Sequence, residues 1–193
     1  MYKSLFIFIL LSVFSLSCTS EKPRELSDTE KTNLRNTADE FMNGLKAVLI
    51  GEIQNNGLIS AVFVCSDTAQ LMTNNFGIEK GIYIKRVSFK YRNENNIPDD
   101  FETEGLKYFE KLLAGGKVDS LTEYAVIVKE NDVNYIRYMK PIIIQAPCLN
   151  CHGMQEQMMP EVSALIKKRY ANDNAINYKI GDLRGAVSIQ KVF

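Results

Sequence analysis

The stretch EYAVIVKENDVNYIRYMKPIII, residues 123–144, decides the fold class of this 193-residue chain. Two runs rich in β-branched and aromatic residues, 123–129 and 133–144, stand on either side of Asn131-Asp132, a dipeptide typical of turns. The pattern predicts two antiparallel strands joined by a tight turn. A purely helical fold is therefore excluded.

Alternation and helical spacing continue on both sides of this hairpin. Residues 81–91 alternate between polar and apolar side chains, which predicts a half-buried strand, and residues 184–193 predict a closing strand. Ser27 and Glu30 form a capping-box pattern at the start of an amphipathic helix, which Asn55-Asn56-Gly57 interrupts. Further helical runs are predicted over 58–72, 98–113 and 160–170. The predicted fold class is α+β, with N-terminal helices followed by an antiparallel sheet.

The composition is that of an ordinary globular protein. Lysine plus arginine number 23, as do aspartate plus glutamate, so no global charge predicts nucleic acid as a partner. A chain of this length can bury a substantial core and is expected to form one domain.

The first residues predict export and a lipid anchor. Lys3 precedes an almost unbroken apolar run over 5–16, which is too short to span a bilayer comfortably. Small residues then lead to Cys18, as in a bacterial lipoprotein signal, although Ser15 stands where leucine is usual; an ordinary cleaved signal peptide is the alternative. We expect the protein on the periplasmic side of the membrane, anchored through a lipidated Cys18. The predicted division is a signal peptide over 1–18, a tether over 19–27 and one domain over 28–193.

The string Cys148-Leu149-Asn150-Cys151-His152 has the C-x-x-C-H spacing of covalent c-type haem attachment. Each thiol can add to one vinyl group of the porphyrin, and the histidine that follows can bind the iron. Such attachment is made outside the bacterial cytoplasm, so the motif agrees with the predicted export. A redox-active dithiol, a structural disulfide and a zinc site that also uses Cys65 are the alternatives.

The opposite face of the iron needs a ligand other than histidine, because His152 is the only histidine in the sequence. Cys65 is the one cysteine left once Cys18 is assigned to the signal and the two motif cysteines to haem. A free cysteine on an apolar helix face is, however, commonly a small buried hydrophobe. The rival ligands are the methionines Met139, Met154, Met158 and Met159.

A series of motifs covers nearly all of the predicted domain: RVSFKYRN (86–93), NIPDDFE (96–102), Arg137-Tyr138 with Pro141, the haem motif, and GDLRGAVS (181–188) after Tyr170, Asp173, Ala175 and Tyr178. This series resembles a family of single-haem c-type proteins with a PAS-like fold, usually labelled a domain of unknown function. Members of that family occur as free-standing exported proteins and as extracytoplasmic sensor domains.

The resemblance implies that the iron of one covalently attached haem c is held by His152 and by a cysteine of the N-terminal helical region, which here is Cys65. A thiolate ligand would stabilise Fe(III) and keep the reduction potential low. The chain departs from the family pattern at Ala171 and Asn177, where proline and glycine are usual.

Arg86, Arg137 and Arg184 lie in these motifs, and arginine is the usual partner of a haem propionate. All three are therefore candidates for binding the cofactor, and we expect no more than one or two of them to do so; each could equally be a solvated strand-face charge or a structural ion pair. The predicted function is redox or small-ligand sensing with an unidentified redox or signalling partner; a simple electron-transfer cytochrome is the alternative. We expect no enzymatic activity, since a peroxidase would need a distal histidine or an acid–base pair.

Overall fold

The computed structural model describes residues 24–193. The predicted signal peptide, Cys18 and most of the predicted tether lie outside the described residues. The described end of that tether is not free, because Leu26 is buried in the core and the Arg24 guanidinium lies 3.9 Å from the centroid of the Phe193 ring. The packed part of the described chain therefore begins at Leu26.

Within residues 24–193, four strands form one antiparallel sheet in the order β1-β4-β3-β2. Their bounds are β1 Tyr83–Val87, β2 Tyr124–Glu130, β3 Val133–Ile143 and β4 Leu183–Val192. The predicted hairpin is confirmed as β2 and β3, and its turn residues Asn131 and Asp132 adopt the left-handed backbone that a tight hairpin requires. The α+β fold class is confirmed, while the PAS-like label stays a prediction.

The predicted strand over 81–91 ends early, at Val87. Beyond it the Ser88 hydroxyl donates to the Arg184 carbonyl at 2.7 Å, and the Ser88 N–H donates to the Asn96 carbonyl at 3.2 Å. These bonds turn the chain out of the sheet, so residues 88–93 approach the segment that follows the haem motif instead of continuing the ladder.

The described part of the chain also contains five α-helices: α1 Asp28–Phe63, α2 Ala69–Lys80, α3 Asp100–Ala114, α4 Leu149–His152 and α5 Pro160–Arg169. The predicted capping box of α1 is present, with Ser27 and Glu30 bonded to each other's backbone N–H. One face of the sheet packs on α1 through a cluster that includes Phe41, Tyr138 and Ile189. The other face packs on α3.

The N-terminal helix departs from regular geometry in two places. Gly57 has φ 83° and ψ 175°, a conformation open essentially to glycine alone, so the predicted interruption is a kink within α1. Residues Val64–Thr68 then form a π-helical segment before α2. Such wide turns occur mostly as single bulges and frequently at functional sites.

Candidate functional site

The two motif thiols are placed by one short turn of helix after β3. A 3₁₀ turn, Ala146–Cys148, leads from the sheet into α4, with Pro147 in its first turn. The thiols of Cys148 and Cys151 are free and half-buried, which disfavours the structural disulfide. Desolvation raises the pKa of Cys151 to about 11. A redox-active dithiol is typical of a parallel βαβ unit, whereas this motif follows an antiparallel strand, so this alternative is disfavoured as well.

The orientation of His152 is fixed by the backbone of a later segment. Its Nδ1 lies 2.7 Å from the Ala175 carbonyl oxygen. A carbonyl oxygen can only accept, so Nδ1 carries the proton and Nε2 keeps its lone pair. The Tyr178 N–H donates to the His152 carbonyl at 3.0 Å, and the Tyr178 ring meets the imidazole edge-on at a centroid distance of 6.2 Å.

Electrostatics keep this imidazole neutral. Desolvation, reinforced by the charges of Arg184 and Arg92, lowers the pKa of His152 well below its ordinary value. A neutral imidazole with a free Nε2 is the form that binds a metal, and an Nδ1–H bonded to a backbone carbonyl is the arrangement typical of a metal-binding histidine.

Two adjoining cavities of about 320 and 230 Å³ lie between α1 and the sheet, and His152 lines the smaller one. Small-molecule and cofactor sites commonly occupy roughly 300–1,000 Å³. Among the residues that the structure describes, no aspartate or glutamate lines the smaller cavity. The walls that both cavities share are Met42, Leu49, Cys65, Arg86, Ile142, Pro147 and Cys148.

Cys65 belongs to the π-helical segment and reaches the same cavity from the α1 side. Its thiol is accessible from the cavity but has protein atoms on most sides, so desolvation raises its pKa, opposed by the charges of Arg86 and Arg92. The structure thus brings Cys65, Cys148, Cys151 and His152 to one cavity. No group of three or more His, Cys, Asp or Glu side chains among residues 24–193 is arranged to hold a metal ion, which disfavours the zinc alternative.

Arg86 and Arg184 also line the smaller cavity. The Arg86 guanidinium has no hydrogen-bond acceptor among the described residues, and its buried Nε is left without a partner. Arg184 donates from Nη1 to the Lys90 carbonyl at 3.2 Å. Desolvation lowers the pKa of both arginines, although a guanidinium stays protonated in proteins. Arg92 lines the same cavity, so three arginines and no carboxylate among the described residues border it. This lining fits a ligand that brings carboxylates of its own.

The structure places Arg137 elsewhere, so the expectation that one or two of the three arginines bind the cofactor now rests on Arg86 and Arg184. Its Nη2 donates to Asp99 Oδ2 at 2.6 Å, and its guanidinium lies 4.5 Å from the centroid of the Phe101 ring. Arg137 alternates with Tyr138 along β3 and therefore faces α3, whereas Tyr138 faces α1. It lines neither cavity.

The four rival methionines do not line either cavity. Met139 is fully buried against α3, Met158 is buried, and Met154 and Met159 are exposed. Met42, which sequence reasoning did not single out, lines both cavities. It belongs to the regular apolar stripe of α1, so the pattern held no signal that separates it from a core residue.

Arg92 is a second residue that sequence reasoning missed. Its Nε donates to Asp173 Oδ1 at 3.0 Å, and its Nη2 donates to the Cys151 carbonyl at 2.6 Å and to the Ala175 carbonyl at 3.1 Å. Arg92 stands in the motif RVSFKYRN, but its partners lie some 60 to 80 residues away in sequence. Position along the chain could therefore not predict this role.

Asn177 stands where the resembling family usually has glycine, and asparagine can adopt the backbone conformation that this position requires. Asn177 has φ +60°, a left-handed conformation in which glycine is favoured and asparagine is accepted. Its N–H donates to the Gly153 carbonyl at 3.0 Å, next to His152. The loop therefore keeps its backbone contact with the haem motif.

Comparison with known proteins places this fold. A family model described as Tll0287-like matches residues 19–191. The chain also matches the crystal structure of the cyanobacterial heme-protein Tll0287, with a TM-score of 0.61 and 19% sequence identity over 86% of this chain and 97% of that one. At this identity the likeness shows the fold alone. No curated protein matches the sequence.

Proposed function

The chain belongs to the Tll0287-like family, and we propose that it is a haem protein that carries one covalently attached haem c. The observation that carries the proposal is the 2.7 Å bond from His152 Nδ1–H to the Ala175 carbonyl, which leaves Nε2 for the cavity that both motif thiols border. A solved structure of the same fold is that of a heme-protein, which supports the proposal.

Cys148 and Cys151 would attach the cofactor, each Sγ through one thioether bond. Addition of a thiol across a vinyl group, with the thiol proton going to the neighbouring carbon, would consume no oxidant or reductant. Arg86, whose buried Nε is unpartnered, and Arg184 bind the propionates through charge-assisted hydrogen bonds.

Cys65 would be the other iron ligand and the movable one. A bound haem would supply one-electron chemistry at its iron. Cys65 Sγ would hold the iron as a thiolate in the oxidised protein. It would take a proton from solvent and be released when an electron-donor protein or a small reductant supplies one electron, and the π-helical segment would move with it. Redox state, or binding of a small gas, would thereby be converted into a change of structure.

The proposal includes where this happens. Because c-type attachment is made outside the cytoplasm, the protein acts on the periplasmic side, held by a lipid on Cys18. Its role is redox or ligand sensing rather than catalysis, and its partner is a redox or signalling protein at that membrane.

Spectroscopy of the purified, haem-loaded protein tests the proposal. We expect one haem per chain that acidified organic solvent does not extract, and rapid carbon monoxide binding after reduction with loss of the thiolate signature. Haem that is absent or extractable contradicts the covalent site. Ligation that stays the same in both oxidation states, with no carbon monoxide binding, contradicts sensing and indicates an electron-transfer cytochrome.

A further inference from the structure

Several groups around His152 meet at the backbone of Ala175. The Ala175 N–H donates to Asp173 Oδ1 at 2.9 Å. The Ala175 carbonyl oxygen accepts from His152 Nδ1 at 2.7 Å and from Arg92 Nη2 at 3.1 Å. Both backbone polar atoms of Ala175 are therefore engaged, and the oxygen is shared between a neutral and a charged donor.

Arg92 is held rigidly in this position. Its side chain is 12% exposed and that of Asp173 is 8% exposed, and the two form an ion pair at 3.0 Å. The bond from Arg92 to the Cys151 carbonyl, at 2.6 Å, ties the guanidinium to the turn that carries the second motif thiol. Unlike Arg86, Arg92 thus donates from Nε and Nη2 to protein acceptors, although it also lines the smaller cavity.

On the premise of the proposed function, we infer that Arg92 is a positioning residue that weakens His152 as an iron ligand by sharing the Ala175 carbonyl. A hydrogen bond from Nδ1–H to an acceptor makes the imidazole a stronger donor at Nε2. A second, charged donor on the same oxygen draws its electron density away and weakens the first bond. A weaker donor stabilises Fe(III) less, so Arg92 raises the reduction potential and opposes the thiolate of Cys65.

The test compares substitutions that separate charge from hydrogen bonding. In the haem-loaded protein, Arg92→Gln removes the charge, whereas Arg92→Lys keeps the charge but cannot serve all three acceptors. Arg137 provides the matched control, because it is a similarly buried, ion-paired arginine on the opposite face of the sheet. Arg137→Gln and Arg137→Lys should lower stability without moving the midpoint potential.

We expect both Arg92 variants to lower the midpoint potential, with up to a tenfold change in the one-electron equilibrium, or about 59 mV. The Fe–His152 stretching frequency of the ferrous protein, measured by resonance Raman, should rise in both, which a purely structural role would not produce. If Arg92→Gln does not retain haem, the midpoint potential and the Raman frequency of Arg92→Lys test the inference.

Three results would overturn the inference: midpoint potentials equal to that of the wild type, an effect in Arg92→Gln that is absent in Arg92→Lys, or an equal shift in the Arg137 controls. Each of these is measured on protein that carries haem. Failure of the proposed function is a different result, namely a wild-type protein without covalent haem.

Discussion

The two walls of the cavity are built differently. The His152 wall, α4 with residues 173–178, is fixed by backbone hydrogen bonds at the His152 and Gly153 carbonyls and by the buried Arg92–Asp173 pair. The Cys65 wall, residues 57–68, contains the Gly57 kink and a π-helical segment. Buried Val62 packs the Cys65 wall on α5. Next to Cys65, an ion pair between Asp67 and Arg169 holds this wall, and their side chains are 54% and 27% exposed.

This difference would let one site keep a cofactor and still change its ligation, as the proposed function requires. Breaking the His152 wall would leave buried carbonyls and a buried charge without partners, which is costly. Next to Cys65, the other wall is held by a surface ion pair, which typically contributes only about 0–1 kcal/mol. On the proposed function, the fixed wall would supply attachment and the segment around Cys65 the response.

The largest effect is expected from the thiols of the fixed wall. Cys148→Ser together with Cys151→Ser should abolish covalent attachment completely, because a hydroxyl does not replace the thioether bond. Denaturing mass spectrometry measures it as loss of the haem mass. Cys65→Ser is the control from the other wall and should keep that mass. If Cys65→Ser also lost covalent haem, the division of roles between the walls would be wrong.

The kink at Gly57 should matter more than any other glycine position in α1. Alanine at φ 83° and ψ 175° is strained by roughly 1–3 kcal/mol. We expect Gly57→Ala to lower the free energy of unfolding by about this amount and to disturb the ferric spectrum by shifting the Cys65 wall.

Gly51→Ala is the matched control, since Gly51 lies in the same helix with open space around its Cα. The free energy of unfolding of Gly51→Ala should rise by about 0.5–1 kcal/mol, and the visible spectrum should be unchanged. Denaturant unfolding with visible spectra measures both variants. Equal stability of the two would contradict a required kink.

Particular residues show how far the sequence could predict this site. The C-x-x-C-H string and the cysteine count pointed to four residues that the structure brings to one cavity. The arginines were less predictable, because Arg86 and Arg137 stand in similar strand patterns and differ only in the face that α1 or α3 covers. Arg92 could not be predicted, since its acceptors are backbone carbonyls that only the tertiary fold brings near it.

The ion pair beside Cys65 should produce a smaller, salt-dependent effect. Arg169 donates to the Ser66 hydroxyl at 2.9 Å and pairs with Asp67, while its neighbour Lys168 forms no ion pair with any residue that the structure describes. Added imidazole must displace Cys65 from the iron, which is easier when the ion pair no longer holds the Cys65 wall. Arg169→Ala should therefore raise the affinity of the ferric protein for imidazole roughly 1.4- to 5-fold, corresponding to about 0.2–1 kcal/mol.

Salt provides a further check on this ion pair. The difference between Arg169→Ala and wild type should shrink at high ionic strength, and Lys168→Ala should behave as wild type. An equal response of the two variants would show that the ion pair does not hold the Cys65 wall.

The smallest effect is expected on the α3 face, which touches neither wall. Desolvation raises the pKa of Asp99, but bonds from the Glu102 N–H and from Arg137 outweigh it and lower the pKa below 3.8. A folded-state pKa below the unfolded value contributes stability that is complete above about pH 3.8 and is lost as pH falls through the folded value.

Asp99→Asn should therefore reduce the acid dependence of stability slightly without changing the haem spectrum. Circular dichroism during acid unfolding measures the acid dependence of stability, and visible absorption measures the haem spectrum. A spectral change in this variant would mean that the α3 face is coupled to the cavity.

Electron paramagnetic resonance of the ferric protein, with and without Cys65→Ala, tests the central claim most directly. If His152 and Cys65 share one iron, the wild type gives a low-spin thiolate signal. The variant loses that signal and has a higher midpoint potential, because the charge that stabilised Fe(III) is gone. An identical low-spin signal and an identical midpoint potential in the two proteins would contradict the ligation of the iron by Cys65.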